Sequence, residues 1–249
     1  MKKLINSSFA LFSAVLILAS SAPAQKINSR PAPRTAPKKD ATPAPQVNPT
    51  PTPAVAPTPT PAPTPAPEPF DGATVERMAA QCVRLETEAG TVEMKMLPEV
   101  APETVRNFLN LVATGAYDTT TFSRVVRNFV IQGGNLSTRE TTTAAHVSRS
   151  RRTVRDEPNL VKHVRGVVSM ARTDRPNSAT TNFFILVGNA SHLDGTFAAF
   201  GRVTKGMDVV DAINKAALEG ETPLTPVRIG SAVVFACDAT AAPPARTTP

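Results

Sequence analysis

The stretch Phe122–Gly134, FSRVVRNFVIQGG, sets a guanidinium and an amide among phenylalanines, valines and an isoleucine: Arg124 and Gln132 interrupt an otherwise apolar run. Such residues are either solvated strand and turn positions or groups aimed at a ligand that is part apolar and part hydrogen-bonding. The common catalytic groupings are missing around them. His146, His163 and His192 lack the close spacing of a metal site, and no cysteine lies near them. Ser169, His163 and Asp156 can be written as a triad, but nothing marks Ser169 as a strained nucleophile. Gly133-Gly134 lacks the phosphate-loop pattern. The expectation is chemistry without a metal or a cofactor.

Some reactions need only a shaped apolar pocket and a placed donor, and rotation about an X–Pro peptide bond is one. Its barrier of about 18–20 kcal/mol comes from amide resonance. Uncatalysed exchange takes roughly tens to hundreds of seconds. A donor aimed at the prolyl nitrogen favours a pyramidal nitrogen and weakens the resonance, while an apolar pocket holds the ring. No net charge develops, so donor placement and pocket shape carry the effect.

Rigid elements must position these groups. Cys82–Leu97 alternates apolar and polar residues on both sides of Ala89-Gly90, a β-hairpin signal. Pro102 suits a first helical turn, and Val105, Phe108, Leu109 and Val112 recur at helical spacing before Gly115. Phe122–Gln132 reads as one strand and Thr138–Lys162 as a long polar loop. Gly166–Ala171, Asn182–Val187, Phe197–Val203 and Val227–Cys237 read as strands, with a short helix over Met207–Asn214. About eight strands and two helices suggest a mainly β fold, a closed β-barrel with helices at its ends.

The rest of the chain differs sharply in composition. Residues 1–24 carry Lys2 and Lys3, the apolar run Leu11–Ala19 and small residues at Ala22-Pro23-Ala24, the parts of a secretory signal too short to span a bilayer. Residues 25–69 hold 15 of the 25 prolines and read as an extended, disordered spacer. The remaining chain reads as a domain over 70–240, its folded part Gln81–Asp238, with a flexible tail over 241–249. The first 69 residues have 7 basic and 2 acidic side chains, against 20 and 18 beyond them, so most of the net +7 belongs to the leader and spacer. The one basic run in the domain, Arg149–Arg155, reads as a solvated loop. With one tyrosine and no tryptophan, nucleic-acid binding has little support. Cys82 and Cys237 sit at opposite ends of the domain and are either bonded or two free buried thiols.

FSRVVRNFVIQGGN resembles the signature of the cyclophilin-type peptidyl-prolyl cis-trans isomerases. Further matches follow in the family's order: TEAGTVEMKMLPEVAPETVRNFLNL, GVVSMAR (Gly166–Arg172), TNFFILV (Thr181–Val187) and HLDGTFAAFGRVTKGMDVVD (His192–Asp211). The resemblance covers about Val83–Cys237 and implies an eight-stranded antiparallel barrel capped by two helices. It implies that Arg124 is the catalytic arginine, with Gln132 holding substrate backbone and positioning it. Phe129, Val130, Phe184 and Leu193 match the proline-pocket wall, and Ala171 offers backbone contacts to the residue before proline. Asn182 replaces the usual glutamine, His192 stands where animal members often have a tryptophan important for cyclosporin, and Phe197 replaces a frequent histidine. Ser123 replaces the histidine usually beside the arginine. The family's side-by-side terminal strands imply a Cys82–Cys237 bond. Substrates are expected to be proline-containing chains, handled by a monomer exported to the periplasm or another envelope-facing location. Two readings from other classes remain: a tethered proline-peptide-binding or chaperone-like module, and a surface protein whose spacer is the working part.

Overall fold

The computed structural model describes residues 66–237. The expected leader (1–24), most of the spacer (25–69) and the tail (241–249) lie outside the described residues. Eight strands form one antiparallel sheet: β1 (Gln81–Thr87), β2 (Gly90–Met96), β3 (Arg124–Val126), β4 (Val130–Gly133), β5 (Val167–Met170), β6 (Phe183–Leu186), β7 (Ala199–Lys205) and β10 (Ile229–Ala236). Their order is β10-β1-β2-β7-β5-β6-β4-β3. A separate small hairpin pairs β8 (Leu218–Glu219) with β9 (Thr222–Pro223).

The sheet curls until its edges nearly meet. Phe122 N–H donates to the Val227 carbonyl (2.9 Å) and Ile229 N–H to the Thr120 carbonyl (2.8 Å), just ahead of β3 and at the start of β10. The expected mainly β barrel is thus present, with an approximate closure made by isolated bonds in place of a full β3–β10 ladder. Cys82 in β1 and Cys237 beyond β10 are joined as a disulfide, with Cα atoms 4.9 Å apart.

Alternation along the strands fills the interior. Val83 and Leu85 of β1 and Val92, Met94 and Met96 of β2 are fully buried. Helix α2 (Pro102–Ala113) opens on Pro102 and packs Val105, Phe108, Leu109 and Val112 into the core. The Phe108 ring lies 5.3 Å from those of Tyr117 and Phe183 and 4.9 Å from that of Phe200, a burial of aromatic area that anchors the helix. Ala101 supplies no side-chain cap to this helix. The Glu157 carboxylate does so from a distant loop, accepting the N–H groups of Glu103 (3.0 Å) and Thr104 (2.8 Å). A shorter helix, α4 (Met207–Asn214), buries Val210 and Ile213.

Four local readings change. Phe122–Gln132 is not one strand but part of the β3–β4 hairpin, turning at Arg127–Phe129 with Asn128 in the left-handed region (φ 58°). The last residue of α4 braces that turn: Asn214 Oδ1 accepts Asn128 N–H at 3.0 Å, and its Nδ2 donates to the Val126 carbonyl at 2.9 Å. The expected loop 138–162 contains helix α3 (Ala144–Ser150), opened by a capping box between Thr143 and His146. Arg149, expected in a solvated run, is largely buried between Glu68 (2.7 Å) and Asn107 (2.7 Å). Ordered packing also begins upstream of Gln81, with helix α1 (Val75–Ala79) and the buried side chains of Phe70 and Met78. Among the described residues no helix is long and apolar enough to cross a membrane.

Candidate active site

The site grows out of the register of four strands. Val125, Ile131, Ile185 and Val168 are aligned across β3, β4, β6 and β5, and they belong to the main core. The neighbouring aligned row is Arg124, Gln132, Phe184 and Ser169. Side chains alternate faces along a strand, so this row lies on the other side of the sheet. There Val130, Phe184, Leu186, Leu193 and Ala199 form a second apolar cluster, with Phe129, Ala171 and Phe197 packed against it. This is why β6 is buried on both faces: one faces the barrel core, the other the second cluster.

A cavity of about 150 Å³ opens on that cluster. It is small beside a drug-sized ligand pocket and matches a single side chain. Phe129, Val130, Phe184, Leu193 and Phe197 give it apolar walls, Ala171 lies at its margin, and Arg124 and Gln132 bring the polar groups. Arg124 Nη1 donates to Gln132 Oε1 at 3.2 Å, and Nε donates to Glu221 Oε2 at 2.7 Å. Glu221 lies in the β8–β9 turn, where its carbonyl accepts the Val125 N–H at 2.8 Å. The guanidinium is therefore held from two sides, and its remaining N–H groups are unspent by these contacts. The double glycine after Gln132 also has a reason. Gly134 has φ 85°, and a Cβ there would lie 2.4 Å from the Thr181 carbonyl oxygen.

Eight of the residues expected at the site line this one cavity. Two do not. Asn182 is linked to it only through Ala171, its carbonyl accepting the Ala171 N–H at 3.0 Å. His192 is exposed and stacks against the outside of the pocket wall, its ring 5.6 Å from that of Phe129. Two residues were missed by sequence reasoning. Arg172 lines the cavity with its guanidinium 4.8 Å over the Phe197 ring. Its place directly after Ala171 in GVVSMAR was a signal that could have found it. Glu221 was invisible, being 97 residues from the arginine it holds.

The segment Gly188–Phe197 that carries the Leu193 wall is cross-braced from below. Ala190 N–H donates to the His163 carbonyl at 2.8 Å, and His163 N–H donates to Asp194 Oδ1 at 2.7 Å. That backbone N–H is the chief reason the Asp194 carboxyl is held below its ordinary range. Burial pushes the His163 imidazole down, against the opposing pull of Asp194.

Residues 82–234 match the family model for cyclophilin type peptidyl-prolyl cis-trans isomerases. The chain belongs to the cyclophilins. It is similar to a peptidyl-prolyl cis-trans isomerase of Acinetobacter baylyi, 40% identical over 143 residues, which are 55% of this chain and 73% of that relative. A Streptomyces antibioticus isomerase is 38% identical over 169 residues, covering 61% of this chain and 98% of the relative. Among solved structures, a cyclophilin type isomerase of Cryptosporidium parvum superimposes with a TM-score of 0.56 at 25% identity, covering 63% of this chain and 98% of that one. This cyclophilin is thus a peptidyl-prolyl cis-trans isomerase acting on proline-containing peptides.

Proposed function

We propose that the prolyl ring enters the cavity between Phe129, Val130, Phe184, Leu193 and Phe197, and that Arg124 donates to the prolyl nitrogen or the adjacent carbonyl as the bond twists. The observation that carries this reading is the placement of one doubly held guanidinium at the rim of one small apolar cavity. The apolar walls fix the ring, so the acyl side is the part that turns. A donor to the pyramidal nitrogen interacts with the twisted state more strongly than with either planar amide, which is what lowers a barrier. Gln132 has two parts: its Oε1 steadies Arg124, and its amide N–H remains for substrate backbone.

Export completes the proposal. The basic start, apolar core and small-residue site over 1–24 support a cleaved leader, and the disulfide between the terminal strands suits an oxidising compartment such as the periplasm. Clients there would be exported chains whose X–Pro bonds limit folding. The test is acceleration of cis-to-trans exchange in an Ala-Pro peptide by the folded protein. Clear acceleration that is lost when Phe129→Ala opens the pocket supports the reading. A folded protein that binds the peptide without accelerating exchange would be a tethered binding module instead.

A further inference from the structure

His163 lies outside the cavity and is almost completely buried. It forms a chain of the Ser-His-Asp type, although with Asp194 in place of Asp156: Nδ1 is 3.2 Å from Asp194 Oδ1, and Nε2 is 3.2 Å from Ser169 Oγ. Asp156 instead accepts the Asn177 N–H at 2.9 Å. This chain is not a hydrolytic site. Ser169 is fully buried, and its hydroxyl donates to the Ala198 carbonyl at 2.8 Å. No substrate carbonyl can approach a hydroxyl enclosed in this way.

What the chain does touch is the proline-pocket wall, and it does so at three places. The His163 carbonyl accepts from Ala190 N–H, where the wall segment starts. Its backbone N–H and ring Nδ1 both meet Asp194, directly after Leu193. Through Ser169 it reaches Ala198, directly after Phe197. Ser169 is also the far end of the row that begins at Arg124 and passes through Gln132 and Phe184. One buried imidazole thus links the row carrying the donor to both ends of the segment carrying Leu193 and Phe197. The ionised Asp194 carboxylate can only accept, so Nδ1 carries the proton of the neutral imidazole, and the single Ser169 hydroxyl proton is shared between the bare Nε2 and the Ala198 carbonyl.

We propose that His163 is a positioning residue: through Asp194 and Ser169 it fixes the Leu193–Phe197 wall against the β5–β6 face, and so sets affinity for the prolyl ring more than turnover of bound substrate. The proposal rests on the reading of the cavity as the proline pocket. Loss of a buried hydrogen-bond partner leaves the other partners unsatisfied or lets the segment relax, and either outcome loosens the wall.

The experiment measures, for each folded variant, the affinity for a proline-containing tetrapeptide by NMR titration and turnover of bound peptide by exchange spectroscopy. His163→Phe keeps a ring and removes both side-chain bonds, and Ser169→Ala removes one hydroxyl only. His163→Asn restores a donor toward Asp194. Peptide affinity should fall roughly tenfold in His163→Phe, less in Ser169→Ala, and recover in part in His163→Asn, with turnover of bound peptide changed by less than about threefold. Wild-type affinity in both His163→Phe and Ser169→Ala overturns the proposal, as does a drop in bound-state turnover as large as the drop in affinity. If His163→Phe does not fold, Ser169→Ala and Asp194→Asn decide by the same two readouts. Affinity is read without turnover, so an inactive wild type would count against the role of the cavity in catalysis while the variants still decide the tether.

Discussion

Arg124 and Gln132 stand directly opposite each other across the β3–β4 hairpin, and the guanidinium Nη1 donates to the amide Oε1 at 3.2 Å. In sequence they are eight residues apart, but the Asn128 turn folds them into one cross-strand pair. The pair is a donor and its brace. Gln132→Ala leaves Arg124 present with one support gone. Its kcat/KM should fall roughly five- to tenfold, while thermal stability changes little because Gln132 is only partly buried. Exchange kinetics beside a melting curve check both parts.

The second brace is Glu221. Its ion pair with Arg124 is exposed on both sides, 42% and 54%, so its contribution to stability is small. Its effect should appear in orientation. Glu221→Gln is expected to lower kcat/KM by roughly two- to fivefold with the melting temperature nearly unchanged. A rate increase would mean that the carboxylate competes with substrate for the guanidinium, contrary to a bracing role.

The disulfide closes a loop with a sequence separation of 155 between its cysteines. Chain-entropy arguments assign such a crosslink on the order of 3–5 kcal/mol. The site is carried by β3, β4 and β6, which pair with neither β1 nor β10, and the bonds between the β3 side and β10 fall at the start of β10, the end away from Cys237. Cys82→Ser with Cys237→Ser should therefore melt many degrees lower and keep near-wild-type exchange rates while folded. Denaturant midpoints and initial rates at low temperature separate the two effects.

Protonation should weaken the fold as pH falls. Burial depresses the His163 pKa below its ordinary value, so the unfolded chain takes up a proton first. Stability from this residue is present in full above about pH 6.5 and is lost as pH falls below it toward the depressed folded value. His163→Asn should flatten that part of the melting-temperature profile below about pH 6.5. His146, also depressed, keeps its own slope in the variant. An unchanged profile would place the sensitivity elsewhere.

Much of this arrangement was legible in the chain, for identifiable reasons. Short apolar runs such as Phe183–Leu186 read as strands because both faces are covered, and Pro102 marked the start of α2. Arg124, Phe129 and Gln132 were legible because they sit in one continuous stretch. The β3–β4 turn was not, since its left-handed residue is an asparagine between Arg127 and Phe129 with no glycine beside it. Helix α3 hid in a polar stretch because its capping box uses His146 where glutamate or glutamine is the usual signal. Arg149 looked solvated because its partners, Glu68 and Asn107, are 81 and 42 residues away. The same distance problem concealed Glu221 and the Asp194 partner of His163. Local pattern finds elements; the partners of charged and buried polar groups are supplied by topology.

In the proposed mechanism Arg124 acts on the twisting bond and the apolar walls act on the ring. The most direct measurement compares Arg124→Ala with wild type, reading tetrapeptide affinity and bound-state exchange rate in the same NMR sample. Removal of a placed donor should slow exchange on the order of 10²-fold, with peptide affinity within a few-fold of wild type because the cavity of Phe129, Val130, Phe184, Leu193 and Phe197 is intact. Exchange at the wild-type rate in the folded variant, or a loss confined to affinity, would contradict that assignment.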